Sequence, residues 1–347
     1  MIYSELKNNF MNEETLQSIA KKIVADYKGI LAADEGMPTA KKRLESIGLE
    51  STEESRRQCR ELFLTTEGME NYISGVILFD ETVYQKNSTG KLFVDLLKEK
   101  GIIPGIKVDR GTIDMLLHPE EKITEGLGGL WESLEKYYEL GLRFSKWRAV
   151  IKIGKNLPTD DCILENARII AEYAYLSQKA GIVPIVEPEV LLDGDHDLEK
   201  SEEITTKVLK IVFEKLREKK VQLDGLILKS SMVISGKDCP VQANPEEIAV
   251  ATIRCFKNSV PAEVPGIVFL SGGQKAVQAT INLNAINKLN PSPWKISFSF
   301  GRGLQGPSLE IWAGKSENIS KAQKEFTKRM EANRAANKGE YIPEMEQ

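Results

Sequence analysis

The chain has 347 residues, 41% hydrophobic and 28% charged, with a formal net charge of -4. That is ordinary globular composition, and the slight acidity argues against a general nucleic-acid binder. No stretch approaches the ~20 apolar residues of a membrane span, and Met1 to Phe10 is too polar for the apolar core of a secretory leader.

In chain order, a helix is predicted from Glu13 to Tyr27, ahead of the first of eight short apolar runs. The runs are Gly29–Asp34, Gly75–Asp80, Ile102–Asp109, Trp147–Gly154, Ile182–Glu187, Gly225–Lys229, Gly266–Ser271 and Lys295–Gly301. They are β-rich and nearly continuous in hydrophobicity, the pattern of parallel strands buried on both faces. Helical periodicity lies between most of them, clearest over Glu165–Ala180 and Ser201–Lys219. Eight strand-plus-helix units in series predict one (β/α)8 TIM barrel with extra N- and C-terminal helices. The whole chain, 1–347, reads as a single domain. Its barrel core spans about 28–315, and 316–347 supplies a charged helix from Asn318 to Asn337 and a short tail, frayed from Gly339 to Gln347.

Cysteine and histidine limit the chemistry. Cys59, Cys162, Cys239 and Cys255 form no C-x-x-C pair, so they read as free thiols in a reducing compartment. His118 and His196 are the only histidines, too few for a histidine-rich zinc site. Asp193-Gly194-Asp195-His196-Asp197 has the residue types of a metal cluster but equally those of a polar loop. The expectation is no metal and no cofactor.

Charged residues punctuate the strand ends, where barrel enzymes carry their chemistry. Lys107 and Asp109, Lys146 and Arg148, and Glu187 and Glu189 are each two apart, so each pair shares one strand face. Asp34 and Lys229 end their own strands. So many buried charges are costly unless they pair, which makes a purely structural origin hard to sustain. A strand-end lysine at an apolar barrel mouth is a candidate amine nucleophile, pointing to carbonyl chemistry through a Schiff base. Glu187 suits the proton transfers of that chemistry, and Asp34 suits removal of a hydroxyl proton during C–C cleavage. Ser271-Gly272-Gly273 after the seventh run and Gly301-Arg302-Gly303 after the eighth predict an anion cradle. Arg43, Arg56, Lys146 and Arg148 form a second cationic group. Two such groups favour a sugar phosphorylated at both ends.

Several motifs, in this order, resemble class I fructose-bisphosphate aldolase over essentially the full chain. They are GILAADE (29–35), TEESRR (52–57), GIKVDRG (105–111), KWRAVIKIG (146–154), GIVPIVEPE (181–189), DGDHDL (193–198), LSGGQ (270–274), INLNAIN (281–287) and FGRGLQ (300–305). The resemblance implies a metal-free cytoplasmic homotetramer that reversibly cleaves fructose 1,6-bisphosphate to dihydroxyacetone phosphate and glyceraldehyde 3-phosphate. It implies Lys229 as the Schiff-base lysine, Glu187 as main acid/base, Asp34 acting on the C4 hydroxyl, and Lys107, Lys146 and Glu189 tuning charge. It also implies Ser271, Gly272, Gly273, Ser299, Arg302 and Arg43 around the 1-phosphate and ketose, with Arg148 and Arg56 near the opposite phosphate. Neither nucleic acid nor membrane is an expected partner; members also bind cytoskeletal proteins.

The chain departs from the family pattern in places. Ser230-Ser231 follow the lysine where Pro-Asn or Pro-Ser is usual, Gly36 takes the place of a serine, and Thr39 that of another. Animal members end in a tyrosine that aids proton transfer; here the sequence closes Tyr341-Ile342-Pro343-Glu344-Met345-Glu346-Gln347. That step is expected to fall to another group or to run slowly. Two other readings fit the same features: a different Schiff-base barrel enzyme, such as a transaldolase-like or deoxyribose-phosphate aldolase-like one, or a scaffold on a retained barrel.

Overall fold

The computed structural model describes residues 14–289 and 293–346. Met1 to Phe10, Glu13 and Gln347, on which expectations above touch, lie outside the described residues. All eight apolar runs form strands. In chain order these are β1 (Gly29–Ala33), β2 (Ile73–Leu78) and β3 (Ile103–Lys107), the hairpin β4 (Thr112–Met115) and β5 (His118–Thr124), then β6 (Phe144–Ile151), β7 (Val183–Val190), β8 (Ile227–Ser230), β9 (Gly266–Phe269) and β10 (Lys295–Phe300). Around the closed parallel barrel the order is β1, β2, β3, β6, β7, β8, β9, β10 and back to β1. The antiparallel hairpin β4–β5 is absent from the sequence reading. Strand β4 is exposed and the buried positions of β5 are the polar Glu121 and Thr124, so no hydrophobic period marks the hairpin; Asp114 stands opposite Lys122 and is ion-paired to it.

Among the described residues, twelve α-helices of 5 to 21 residues surround or cap these strands: α1 (Leu16–Ile23), α2 (Met37–Glu45), α3 (Glu53–Leu64), α4 (Asp80–Tyr84), α5 (Phe93–Glu99), α6 (Leu130–Glu139), α7 (Asp160–Lys179), α8 (Leu198–Glu218), α9 (Pro245–Ser259), α10 (Ala276–Lys288), α11 (Arg302–Trp312) and α12 (Ile319–Lys338). The start of α7 lies five residues before the apolar periodicity begins, because Thr159 caps it by accepting from the Cys162 N–H at 3.2 Å. Likewise Asp197 caps α8 through the Lys200 N–H at 2.8 Å.

What positions the site is the order of residues along each inward strand face. Ile30, Ala32, Ile77, Phe144, Val183, Ile185, Ile227 and Val268 form one buried cluster in the barrel interior, joined by Ile19, Ile23 and Val24 at α1. Leu16 and Val24 pack against Gly225 and Gly266, at or just before the starts of β8 and β9, so α1 closes the N-terminal end of the barrel. Phe144 fills the bore only because Gly105 faces it; a Cβ there would stand 2.3 Å from the ring. Above this apolar floor the next inward position is charged on β1, β3, β6, β7 and β8 (Asp34, Lys107, Lys146, Glu187 and Lys229), whereas β2 and β9 continue with Phe79 and Leu270. Strand parity on those five strands brings the charges to one end.

The tail is a correction to the sequence reading. It is packed rather than frayed: Tyr341 is 5% exposed, Pro343–Glu346 forms a 3-10 turn, and Glu346 pairs with Arg329 of α12.

Candidate active site

Each charged side chain follows an interior residue by two positions. Lys146 follows Phe144, Glu187 follows Ile185, Lys229 follows Ile227, and Asp34 follows Ala32. This brings four cations (Lys107, Lys146, Arg148, Lys229) against four carboxylates (Asp34, Asp109, Glu187, Glu189) at the C-terminal mouth. The contacts run as a chain. Lys107 Nζ lies 2.6 Å from Asp109 Oδ1, and Asp109 Oδ2 is 3.5 Å from Lys146 Nζ. Lys146 Nζ lies 3.0 Å from Asp34 Oδ2 and 3.4 Å from Glu187 Oε2. Glu187 Oε1 is in turn 3.1 Å from Lys229 Nζ. Arg148 pairs with Glu189.

The pairing sets the charge states. Burial opposes the Lys146 ammonium, but Asp34, Asp109 and Glu187 outweigh it and raise its pKa, so Lys146 stays a cation. Burial likewise pushes the Asp34 carboxyl up, yet Lys146, Lys229 and Lys107 prevail and hold it down at about 2. Asp109 is buried too; Lys146 and Lys107 overcome that burial and keep it below its ordinary value. It also accepts the Gly111 and Arg148 backbone N–H groups at 3.2 and 3.3 Å. Lys146 is thus a fixed positive centre. The Lys229 amine has a carboxylate oxygen within hydrogen-bond reach to take up or return a proton.

Two lobes open over this cluster. One, of about 780 Å³, is lined by Gly36, Thr39, Lys107, Asp109, Arg110 and Arg148 among others. The second, of about 480 Å³, holds Lys229, Arg43, Ser271, Gly272, Gly273, Ser299 and Arg302. Thr39 lines both; Lys107 and Asp109 line the first and Lys229 the second, and the contacts between them run through Lys146 and Glu187, which line neither. In the second lobe Gly272 and Gly273 have φ of +56° and +91°, a left-handed turn of the kind that can present successive N–H groups to an anion. Arg302 opens α11 beside them, adding a helix N-terminus. Ser299 Oγ is buried and, among the described residues, has no hydrogen-bond partner, leaving it free for a ligand oxygen.

The sequence-predicted residues come together with one exception. Arg56 enters neither lobe. It is 8% exposed, and its guanidinium is forked onto Glu81 at 2.6 and 3.0 Å, with a third bond to the Ser51 carbonyl at 3.2 Å. The first turns of α3 aim it at α4, one layer behind Arg43. Arg43 itself lines the second lobe, held by Glu35 and by Gln305 Oε1 at 3.0 Å. Gln305 in turn donates to the Ala32 carbonyl at 2.8 Å. The Asp193–Asp197 loop is a polar loop. Asp193 pairs with Lys237 and Asp197 caps α8. Asp109 was legible only as an inward neighbour of Lys107; its central place between two lysines needed the β3–β6 register, which sets Lys107 beside Lys146.

A lysine amine beside a carboxylate, between two cation-lined lobes at the mouth of a closed parallel barrel, is the arrangement that an imine-forming lyase for phosphorylated sugars would use. Comparison with known proteins narrows this. The profile described as Glycolytic, fructose-bisphosphate aldolase class-I, matches residues 15–347. Fructose-bisphosphate aldolase 4, cytosolic, of Arabidopsis thaliana is 52% identical over 315 residues, covering 90% of this chain and 80% of the relative. A probable fructose-bisphosphate aldolase class 1 of Xanthomonas campestris is 49% identical, covering 95% of this chain and 99% of the relative. The fructose-bisphosphate aldolase of Plasmodium falciparum, solved in complex with TRAP and a small-molecule inhibitor, superposes with a TM-score of 0.93. It is 46% identical over 94% of this chain and 95% of its own. The chain belongs to the class I fructose-bisphosphate aldolase family. It is an aldehyde-lyase that reversibly cleaves fructose 1,6-bisphosphate through a lysine Schiff base.

Proposed function

We propose that Lys229 is the lysine that forms the Schiff base, and that the contact between its amine and Glu187 Oε1 at 3.1 Å carries this assignment. The neutral amine adds to the C2 carbonyl of the open-chain sugar. Glu187 delivers a proton to the carbinolamine hydroxyl, which leaves as water, and the C2 iminium remains. Asp34 takes the C4 hydroxyl proton while the C3–C4 electron pair moves into the iminium. Glyceraldehyde 3-phosphate departs, and an enamine of dihydroxyacetone phosphate stays on Lys229. Protonation at C3 regenerates the iminium, and water returns the free amine and the ketone.

Lys146, held cationic by three carboxylates, stabilises the alkoxide developing near Asp34. Lys107 and Glu189 balance charge on either side. The phosphate of the ketone half sits against Ser271, Gly272, Gly273, Ser299, Arg302 and Arg43, and the other phosphate sits toward Arg148 and Lys107 in the larger lobe. Two lobes on one amine favour a bisphosphate over the monophosphate substrates of other Schiff-base barrels. The iminium is the electron sink, so the reaction runs without metal or cofactor.

The enzyme works in the cytoplasm, in glycolysis and gluconeogenesis, as a homotetramer. The cytosolic Arabidopsis relative supports the first, and the exposed Leu116 and Leu117 at the β4–β5 tip support a subunit contact. A protein partner, cytoskeletal by the family resemblance, is a second role that the TRAP complex of the Plasmodium relative supports. The deciding experiment is borohydride reduction with dihydroxyacetone phosphate: one ligand mass on the peptide carrying Lys229 is expected, and an adduct only on Lys107 or Lys146 overturns the assignment.

A further inference from the structure

Helix α12 is strongly charged, yet its Arg329 is 1% exposed. The guanidinium is fully engaged. Nε donates to the Gly303 carbonyl at 3.4 Å, and Nη2 donates to the Ala276 carbonyl at 3.0 Å and to Thr280 Oγ1 at 2.6 Å. Nη1 pairs with Glu346.

The acceptors are not arbitrary. Ala276 is the first residue of α10 and Gly303 the second of α11, the helices that follow the Ser271-Gly272-Gly273 loop and Gly301. Four residues after Gly303 stands Pro307, inside α11 and without an N–H, so the Gly303 carbonyl lacks its helical donor. Arg329 supplies the missing donor and, with the same planar fork, grips the start of α10. A buried guanidinium needs a counter-charge, which Glu346 provides. Glu346 is itself held: Tyr341 Oη donates to its carboxylate at 3.1 Å, and Lys328 Nζ donates to its backbone carbonyl at 3.0 Å. The Tyr341 N–H donates to Asn284 Oδ1 on α10 at 3.0 Å.

We propose that Arg329, neutralised by Glu346, is a positioning residue that sets the spacing of the two anion-binding loops, so that the 341–346 segment governs affinity for the phosphate in that cradle. Arg329 touches no reacting atom. Its loss loosens two loops that must close on one phosphate together, while the amine of Lys229, on β8, keeps its own contacts. The inference rests on the cradle being the phosphate site.

The test uses the full chain, with fructose 1,6-bisphosphate as substrate and inorganic phosphate as competitive inhibitor. Glu346→Gln keeps the shape and removes the counter-charge; Arg329→Lys keeps the charge and loses the fork. With one charge-assisted contact at stake, each raises the phosphate Ki and the KM about 10-fold and leaves kcat within ~2-fold. Tyr341→Phe, a milder change, moves both in the same direction by less. Leu209→Ala, a buried deletion on α8, lowers Tm and leaves Ki at the wild-type value, separating positioning from general destabilisation. Arg302→Gln tests the cradle itself: an unchanged Ki there removes the premise. A raised Ki for Arg302→Gln with wild-type Ki in Glu346→Gln, Arg329→Lys and Tyr341→Phe overturns the positioning role, whatever their Tm.

Discussion

Arg148 stands directly opposite Glu187 in the parallel register of β6 and β7, yet its guanidinium pairs with Glu189, one inward position further along. The offset matters. An arginine on Glu187 would neutralise that carboxylate with a cation that never gives up its proton. Because Arg148 is taken by Glu189, Glu187 is left between two lysines, at 3.4 Å from Lys146 and 3.1 Å from Lys229. Lys146 is fixed as a cation, and the remaining partner is Lys229, the proposed Schiff-base lysine.

Glu187→Gln keeps the shape of this bridge and removes its proton transfer. Removing a positioned acid/base lowers rate typically ~10²–10⁴-fold, so kcat falls by that order while KM changes less. Steady-state cleavage of fructose 1,6-bisphosphate measures both. A wild-type kcat in the variant would move the role to Glu189 or Asp34.

The barrel was legible because strands buried on both faces must be apolar along their whole length, and eight such runs leave few alternatives. The convergence of Lys107, Lys146, Glu187 and Lys229 was legible for a related reason: a two-residue period sends strand-end charges to one cavity. Other features depend on contacts between distant segments. In the β4–β5 hairpin β4 is exposed and the buried positions of β5 are Glu121 and Thr124, so no apolar period marks it. Arg56 is recognisable as a cation on a helix, but its commitment to Glu81 depends on how α3 meets α4. Arg329 and Glu346 read as solvated charges on a polar helix and tail; only packing shows that each needs the other.

The proposed iminium electron sink predicts metal independence, and Asp193 and Asp197 are already committed to Lys237 and to the α8 cap. Activity is expected to survive prolonged dialysis against EDTA with kcat unchanged. Loss of activity that zinc restores would overturn the Schiff-base account.

Acid sensitivity follows from Asp34. Its carboxyl lies at about 2 in the folded protein against an ordinary value of 3.8, because Lys146, Lys229 and Lys107 together outweigh its burial. A depressed folded-state pKa contributes stability above the unfolded value, and that contribution disappears as pH falls through the folded one. The contribution is about 2 kcal/mol, present at neutral pH and lost between roughly pH 4 and pH 2. Asp109, also depressed, adds to the loss in the same direction. Urea unfolding at a series of acid pH values is expected to show Asp34→Asn less stable at neutral pH and less steeply destabilised by acid. An equally steep acid loss in the variant would place the titrating group elsewhere.

The phosphate cradle makes a backbone prediction. Gly273 has φ of +91°, a conformation that an L side chain adopts only under strain. Space is not the obstacle: a Cβ there would meet Leu192 Cδ2 at 3.5 Å and Arg302 Nη2 at 3.8 Å, ordinary contacts. Gly273→Ala therefore penalises the loop through its backbone alone, by about 1–2 kcal/mol if the turn is held, or by relaxation of the turn if it is not. A relaxed turn re-aims the N–H groups on which the proposed phosphate site depends. The expected result is a KM for fructose 1,6-bisphosphate raised about 10-fold, with a matching rise in the inhibition constant of inorganic phosphate and kcat nearly intact. Lys229 lies on another strand and keeps its contact with Glu187, so borohydride trapping at saturating dihydroxyacetone phosphate should still reach full occupancy. If the variant keeps wild-type phosphate inhibition while its Tm drops, the Ser271-Gly272-Gly273 turn is a structural corner and the phosphate is held by Arg302 and Arg43 instead.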